Sequence, residues 1–506
     1  MDKVTRRVSI GNIGNNDGDI LPLHNEKENA KLKPKLYTSS KNGGILSKLR
    51  LKHLLISFIA WFCLLKYYER IVVKKNIKAC DWSNWESFDG VKQTDSVQPY
   101  HIALVADPQL IDDSSYPGRP NFIKYFVKKI SDNYLHRNYM ISNNYLKPDR
   151  TIFLGDLFDG GIDLVEDSEK WYKEFGRFKR IFPQFEDINT VMSLPGNHDI
   201  GFGDGINITV LNRFETFFGP TNDYINIANH SIILLDTMSL SAYNNDLVNE
   251  RPKEFIKMIT ETLGQHPKIL LSHVPLYRSP DKQTCGKLRE QQKKPFPIMR
   301  GKQYQTVLDY ELSQELLKNI DPVLIFSGDD HDYCHISHNY ILNGENNVVD
   351  EISIKSAAMT SGIKYPAVQL LSLYNPENKI TDDKPTFQTK ICYMPSPYLA
   401  LNVYVFAITF NILTFLMVLI FPDFTLHYLQ KRFNNSSFVK KYELPLNRKR
   451  PSIDFGKNFK KFNITTNLKP VDLNIPLEKD IKGFLLNTCI LIIGVYLIFG
   501  YFFRSI

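Results

Sequence analysis

The 506-residue sequence predicts an α/β domain held against a membrane by apolar helices. Two observations carry this. Five short apolar runs each stop abruptly at side chains that bind metals, the pattern of buried strands presenting ligands beyond their carboxyl ends. Three other apolar runs, 54–68, 398–421 and 484–503, lie outside that pattern and read as membrane helices.

Residues 1–53 are rich in Asn, Gly, Lys and Ser without apolar periodicity, and are expected to form a disordered cytosolic tail. The run 54–68 is shorter than the about 20 residues of a usual span, so Lys52 and Lys66 must snorkel. It lies too far from Met1 for a cleaved signal peptide and reads as a signal anchor. The domain is expected over 69–397. In it, His101–Ala106 runs into Asp107-Pro108-Gln109, and Thr151–Leu154 into Gly155-Asp156-Leu157-Phe158-Asp159. Val191–Leu194 runs into Pro195-Gly196-Asn197-His198-Asp199, Lys268–Ser272 into His273, and Val323–Gly328 into Asp329-Asp330-His331. A single Asp after a strand is ordinarily a turn residue or a helix cap. Five such ends, all of ligand type, are poorly accounted for as turns and caps alone. Helical patterns fall at 121–144, 168–182, 209–218, 252–264 and 304–319; further strands fall at 224–226, 231–236, 336–342, 351–356, 367–374 and 386–393. Two clean spans, 398–421 and 484–503, flank a segment 422–483.

Net charge is +8, too mild to be a nucleic-acid footprint, and its position matters more than its total. The segment 422–483 is strongly basic, which predicts a cytosolic loop and leaves the domain on the lumenal side. That placement excludes nucleic acid as a partner. Cys63 and Cys489 fall in the apolar runs. Cys80, Cys285, Cys334 and Cys392 fall in the lumenal part, where they permit two disulfides in any of three pairings. Asn207-Ile208-Thr209 and Asn229-His230-Ser231 are lumenal glycosylation sequons.

Carboxylates, amide oxygens and imidazoles gathered at strand ends suit a pair of divalent cations, which can bind a phosphate and acidify water. One carboxylate must bridge them, and Asp156, at the central Gly-Asp turn, is the candidate. Asp107-x-Gln109, Gly155-Asp156-x-x-Asp159, Gly196-Asn197-His198-Asp199, His273 and Gly328-Asp329-x-His331 together resemble the five blocks of the calcineurin-like metallophosphoesterases. The resemblance implies a β-sandwich flanked by helices. It implies Asp107, Gln109, Asp156 and His331 around one ion, and Asp156, Asn197, His273 and Asp329 around the other. It also implies His198 as general acid and Asp159 as the carboxylate that orients it. Gln109 and Asp329 stand where the family usually has histidine. Five oxygen-type ligands against two imidazoles favour Mn²⁺ or Mg²⁺ over Zn²⁺, and neutral Gln109 implies a weak hold on the first ion.

The wider blocks, including Ser115-Tyr116-Pro117-Gly118-Arg119-Pro120, resemble the fungal cell-division-control-type membrane metallophosphoesterases and are similar to the mammalian post-attachment enzyme of glycosylphosphatidylinositol (GPI) anchors. The resemblance implies a Mn²⁺-dependent phosphodiesterase that removes ethanolamine phosphate from a mannose of the anchor glycan in the endoplasmic reticulum. Its partners would be GPI-linked proteins or lipid-glycans and membrane lipids. Retention and cycling to the Golgi both stay open. The alternatives are a lipid or other phosphomonoesterase, and a non-catalytic GPI-cargo adaptor with an impaired site. Arg119 is a candidate phosphate clamp, although a turn-flanking Arg is more often a surface residue. The basic loop 277–303 is a candidate anion groove or a solvated loop, and His335 and His338 are more readily structural than ligating.

Overall fold

The computed structural model describes residues 48–88, 97–164, 168–264, 266–292, 296, 298–376, 385–425 and 479–503. The expected tail up to residue 47 and most of the basic segment 422–483 lie outside them.

Strands β1 (Tyr100–Val105), β2 (Arg150–Leu154) and β3 (Asn189–Leu194) run parallel, and β10 (Ala367–Leu373) and β11 (Phe387–Tyr393) extend them antiparallel, in the order β11-β10-β1-β2-β3. The second sheet comprises β4 (Asp223–Ile227), β5 (His230–Leu234), β6 (Lys268–Leu271), β7 (Leu324–Ser327), β8 (Cys334–Leu342) and β9 (Glu345–Ser353), ordered β4-β5-β6-β7-β9-β8. Alternate side chains form the layer between the sheets: Ile102, Leu104, Ile152 and Leu154 meet Ile232, Leu234, Ile269, Leu271 and Phe326, all essentially sealed from solvent. This is the expected α/β sandwich.

The helices are α1 (Leu51–Lys66), α2 (Val72–Lys78), α3 (Asn121–Leu146), α4 (Ser168–Ile181), α5 (Asn197–Ile200), α6 (Ile208–Phe218), α7 (Thr237–Leu240), α8 (Asp246–Thr262), α9 (Tyr310–Ile320), α10 (Pro397–Leu419) and α11 (Ile481–Phe502). The outward residues of both sheets pack beneath them. Phe153 of β2 meets Tyr139 of α3 and Phe178 of α4. Ile233, Leu270 and Ile325 join the same apolar cluster as Phe255 of α8 and Leu316 of α9.

Most differences from the sequence expectation are of boundary. The helix predicted at 252–264 begins at Asp246 and carries Pro252 inside it. The one predicted at 304–319 begins only at Tyr310. The strand predicted at 351–356 begins at Glu345, because Asn343-Gly344, with φ of 52° and 85°, makes a two-residue hairpin that pairs Leu342 with Glu345. Its polar first half has no apolar alternation to announce it.

The membrane expectation is met for two of its three spans. Among the described residues, two helices are long and apolar enough to cross a membrane: α10 and α11, with mean hydropathies of 2.0 and 2.2. The apolar run 54–68 is not a separate helix of that kind. It starts inside the expected tail, at Leu51, and continues through one π-helical turn (Tyr67–Ile71) into α2, past Lys66, Arg70, Lys74 and Lys75. One face of α1, with Leu54, Trp61 and Leu65, packs with Tyr404 of α10 and Leu491 of α11. At the π turn, Glu69 is buried and accepts hydrogen bonds from Arg137 and Asn133 of α3 and from Tyr404. Of the three possible pairings, the disulfides are Cys80–Cys392, which ties the end of α2 to β11, and Cys285–Cys334.

Candidate metal centre

All the expected ligands stand at one end of the sandwich. Asp107 and Gln109 follow β1, Asp156 follows β2, Asn197 opens α5 after β3, His273 follows β6, and Asp329 and His331 follow β7. The backbone turns sharply at most of these ends. Asp107, Gln109, Asp156, Asp329 and His331 all have positive φ, between 35° and 62°. Left-handed backbone costs a non-glycine residue about 1–3 kcal/mol and persists where the surroundings over-determine it, as at functional sites. Gly155, at φ 86°, permits the closest approach: a Cβ there would sit 2.7 Å from Gly196 N, Pro195 C and His273 Nδ1. At Gly196 a Cβ would collide with the Asp156 carboxylate itself.

Two groupings emerge. In the first, ligand atoms of Asp107, Asp156 and His331 lie within 4.8 Å of one another. Gln109 Nε2 donates to Asp156 Oδ2 at 2.9 Å. In the second, His273 Nε2 lies 3.3 Å from Asp156 Oδ1, 3.3 Å from Asn197 Oδ1 and 3.8 Å from Asp329 Oδ1. Its Nδ1 lies 2.6 Å from Leu154 O and donates to it, which turns Nε2 towards those oxygens. Asp156 thus offers one oxygen to each grouping.

The residues fit a pair of divalent cations. Asp107 Oδ2 is buried without a hydrogen-bond partner, and its sister oxygen accepts from Asp329 N at 3.1 Å. Burial pushes the Asp107 carboxyl well above the usual range and the Asp329 carboxyl up to about 7. Burial raises Asp156 too, but the adjacent His273 and His198 outweigh it and hold this carboxyl below its ordinary value. Acceptors packed this closely, out of water, require positive charge between them.

His198 lies at the rim, its side chain 38% exposed. Its backbone N–H donates to Asp156 Oδ1 at 2.9 Å. The Asp156 charge raises the imidazole to about 9, against the effect of burial and with help from Asp159. The expected carboxylate contact is present at ion-pair distance and is joined by a shorter main-chain one: His198 Nδ1 lies 3.7 Å from Asp159 Oδ1 and 2.5 Å from Asp159 O. A sequence motif identifies the residue but not which of its oxygens is used.

Asp199 carries a role that motif reading missed. Its buried carboxylate accepts from the backbone N–H groups of Gly196, Leu157 and Phe158, stitching the β2 and β3 loops together. Only its place three residues after a Gly cap signals this. Arg119 stays outside the cluster, exposed, with its guanidinium 4.6 Å from the Tyr116 ring. His338 is buried against Glu351 at 2.6 Å, and His335 lies on the outer face of β8, 3.3 Å from Asp350. Neither joins the centre. Within the basic loop 277–303, Arg278 and Arg289 are buried rather than solvated.

The calcineurin-like phosphoesterase family model matches residues 100–333. Cell division control protein 1 of Saccharomyces cerevisiae is 41% identical over 465 residues, covering 90% of this chain and 91% of that protein. Metallophosphoesterase 1 of Xenopus laevis is 25% identical over 350 residues, covering 63% of this chain and 79% of that protein. The Metallophosphoesterase 1 homolog of Caenorhabditis elegans is 28% identical over 312 residues, covering 61% and 80%.

Proposed function

The chain belongs to the calcineurin-like phosphoesterases, hydrolases of phosphoric esters, and from that premise we propose a membrane-bound, Mn²⁺-dependent phosphodiesterase that removes ethanolamine phosphate from a mannose of GPI-anchor glycans in the lumen of the endoplasmic reticulum. The observation that carries the reading is the meeting of a candidate metal centre with two helices long and apolar enough to cross a membrane. The sandwich bearing the centre is joined to α1 and α10 through Glu69, Arg137, Asn133 and Tyr404. On the same side, Phe122, Tyr125 and Phe126 of α3 are exposed, and the Phe126 ring lies 6.5 Å from Tyr496 of α11. Exposed aromatics beside an apolar helix suit the headgroup layer, where a lipid-linked glycan would present its phosphodiester.

In this reading α1, α10 and α11 all cross the bilayer, with the N-terminus and the basic segment 422–483 in the cytosol. Asp107, Gln109, Asp156 and His331 hold one ion; Asp156, Asn197, His273 and Asp329 hold the other. Two divalent cations, when bound, neutralise phosphoryl oxygens and acidify water. The oxygen-rich ligand set favours Mn²⁺, with Mg²⁺ as substitute. Asp156 spaces the two groupings. His273 is fixed by Leu154 O, which turns its Nε2 towards the second ion site. His198, steadied by Asp159 O, delivers a proton to the leaving mannose oxygen.

Mass analysis of GPI glycans from cells lacking the protein tests the substrate. Ethanolamine phosphate is expected to persist on one mannose, and unchanged glycans would overturn the assignment. Assay of purified protein on diester against monoester substrates separates this reading from a phosphomonoesterase. Gln109 favours one rival. A neutral amide that donates to Asp156 suits a weakly held first ion and hence a GPI-cargo adaptor. Two Mn²⁺ per chain after mild purification would exclude that rival.

A further inference from the structure

A cavity of about 180 Å³ opens beside the centre, between the loop after β6 and the loop after β7. Pro275, Arg278, Phe296, Met299, Thr306, Asp329 and Asp330 line it. Asp329 belongs to the second ligand grouping, so the cavity adjoins the place where a phosphoryl group is bound. Arg278 is fully buried. Its Nη2 donates to Ser327 Oγ at 3.4 Å, to Glu351 Oε1 at 3.0 Å and to Ser353 Oγ. Its Nε and Nη1 make no hydrogen bond, although Nη1 lies 3.5 Å from Asp330 Oδ2.

The nearby acceptors are already engaged. Asp330 receives both terminal nitrogens of Arg289, at 2.6 and 2.8 Å. Glu351 also accepts from His338 and Ser327, each at 2.6 Å. A buried guanidinium with two nitrogens unsatisfied is costly and calls for an acceptor. Its planar fork matches the oxygens of a phosphoryl group. Pro275, Phe296 and Met299 give the lining an apolar part, with the Phe296 ring 5.3 Å from Arg278 Cζ, and that part suits a small alkyl substituent.

We propose that this cavity is a second recognition point for the substrate's phosphoryl group, with Arg278 as the positioning residue that takes a nonbridging oxygen through Nε and Nη1. The ligand class is a phosphate ester with a small alkyl arm, and inorganic phosphate is its minimal form. The proposal rests on the hydrolase reading of the centre but not on GPI as the natural substrate, so its test uses soluble probes.

The test takes the full-length protein in Mn²⁺. Arg278→Lys keeps a cation for Glu351 but removes the two unsatisfied donors. Met299→Trp fills the cavity from a position 46% exposed and leaves Arg278 untouched. Calorimetry reads inorganic phosphate binding, steady-state kinetics reads KM and kcat for a soluble aryl phosphodiester, and elemental analysis reads Mn²⁺ per chain. Both variants are expected to weaken phosphate binding and raise KM by about tenfold, the scale of a lost charge-assisted hydrogen bond, with kcat changed less and Mn²⁺ content unchanged. The proposal fails if either folded variant stays within threefold of the parent in phosphate affinity and KM, or loses kcat without a change in KM. If Arg278→Lys does not fold or does not hold Mn²⁺, Met299→Trp decides alone by the same limits.

Discussion

Asp156 shows how much one side chain is asked to do. Its Oδ2 accepts from Gln109, while its Oδ1 accepts from His198 N and faces His273 Nε2. Asp156→Ala and Asn197→Ala are therefore expected to abolish hydrolysis and to lower the Mn²⁺ bound per chain, read by elemental analysis. His198→Ala is expected to keep its metal while kcat falls by roughly 10²–10⁴-fold, the usual contribution of a general acid. A variant as fast as the parent would remove His198 from the chemistry. His230 gives a separate pH prediction. It is sealed between Ala228 O and Thr386 Oγ1, and burial lowers its imidazole to about 4. The unfolded chain takes up that proton below about pH 6.5 while the folded chain resists it. Its contribution is full above pH 6.5 and is lost as pH falls towards 4, on the order of 3 kcal/mol. Thermal unfolding at pH 7 and pH 4.5 should show that loss, and His230→Gln should flatten it.

At the scale of elements, the decisive contact is the π turn between α1 and α2. It turns Glu69 towards Arg137 and Asn133 of α3 and Tyr404 of α10. Removing one partner of a buried pair leaves the other uncompensated, at about 3–5 kcal/mol. Glu69→Leu is expected to lower the melting temperature in detergent sharply. Glu69→Leu with Arg137→Met should recover much of the loss; if the double variant is no better than the single, the pair is not the cause. Strands and helices were legible to different degrees. The strands carried their ligands in plain view, because apolar runs that repeatedly end in Asp, Asn or His place metal-binding groups beyond the edge of a buried sheet. The π turn had no such signal, since Glu69 among Lys66, Arg70 and Lys74 reads as an ordinary solvated residue.

For the whole molecule, the predicted orientation can be tested through its sequons. Asn207 is exposed, and its side-chain oxygen accepts from Thr209 N, which leaves the amide nitrogen outward. Asn229 sits in the β4–β5 hairpin at φ 55° and donates that nitrogen to Asn375 O at 2.8 Å. A lumenal domain is therefore expected to carry glycan at Asn207 and not at Asn229, with Asn207→Gln alone increasing gel mobility. Absence of glycan combined with protease access to residues 100–393 in sealed microsomes would place the domain in the cytosol. The disulfide Cys80–Cys392, which joins the exit of α2 to the last strand, belongs to an oxidising space and is consistent with the lumenal reading.

The sequence by itself determined the α/β class, the five ligand-bearing strand ends and the apolar helices α10 and α11, because each is written in local periodicity and residue type. Only the tertiary structure decided that Asp159 meets His198 through its main chain as well as its carboxylate, that Asp199 binds two loops together, and that Arg278 lies buried beside the centre among Ser327, Ser353 and Glu351. Those outcomes depend on which polar groups are drawn out of water together. Burial is a property of the packed molecule, and no stretch of chain contains it alone.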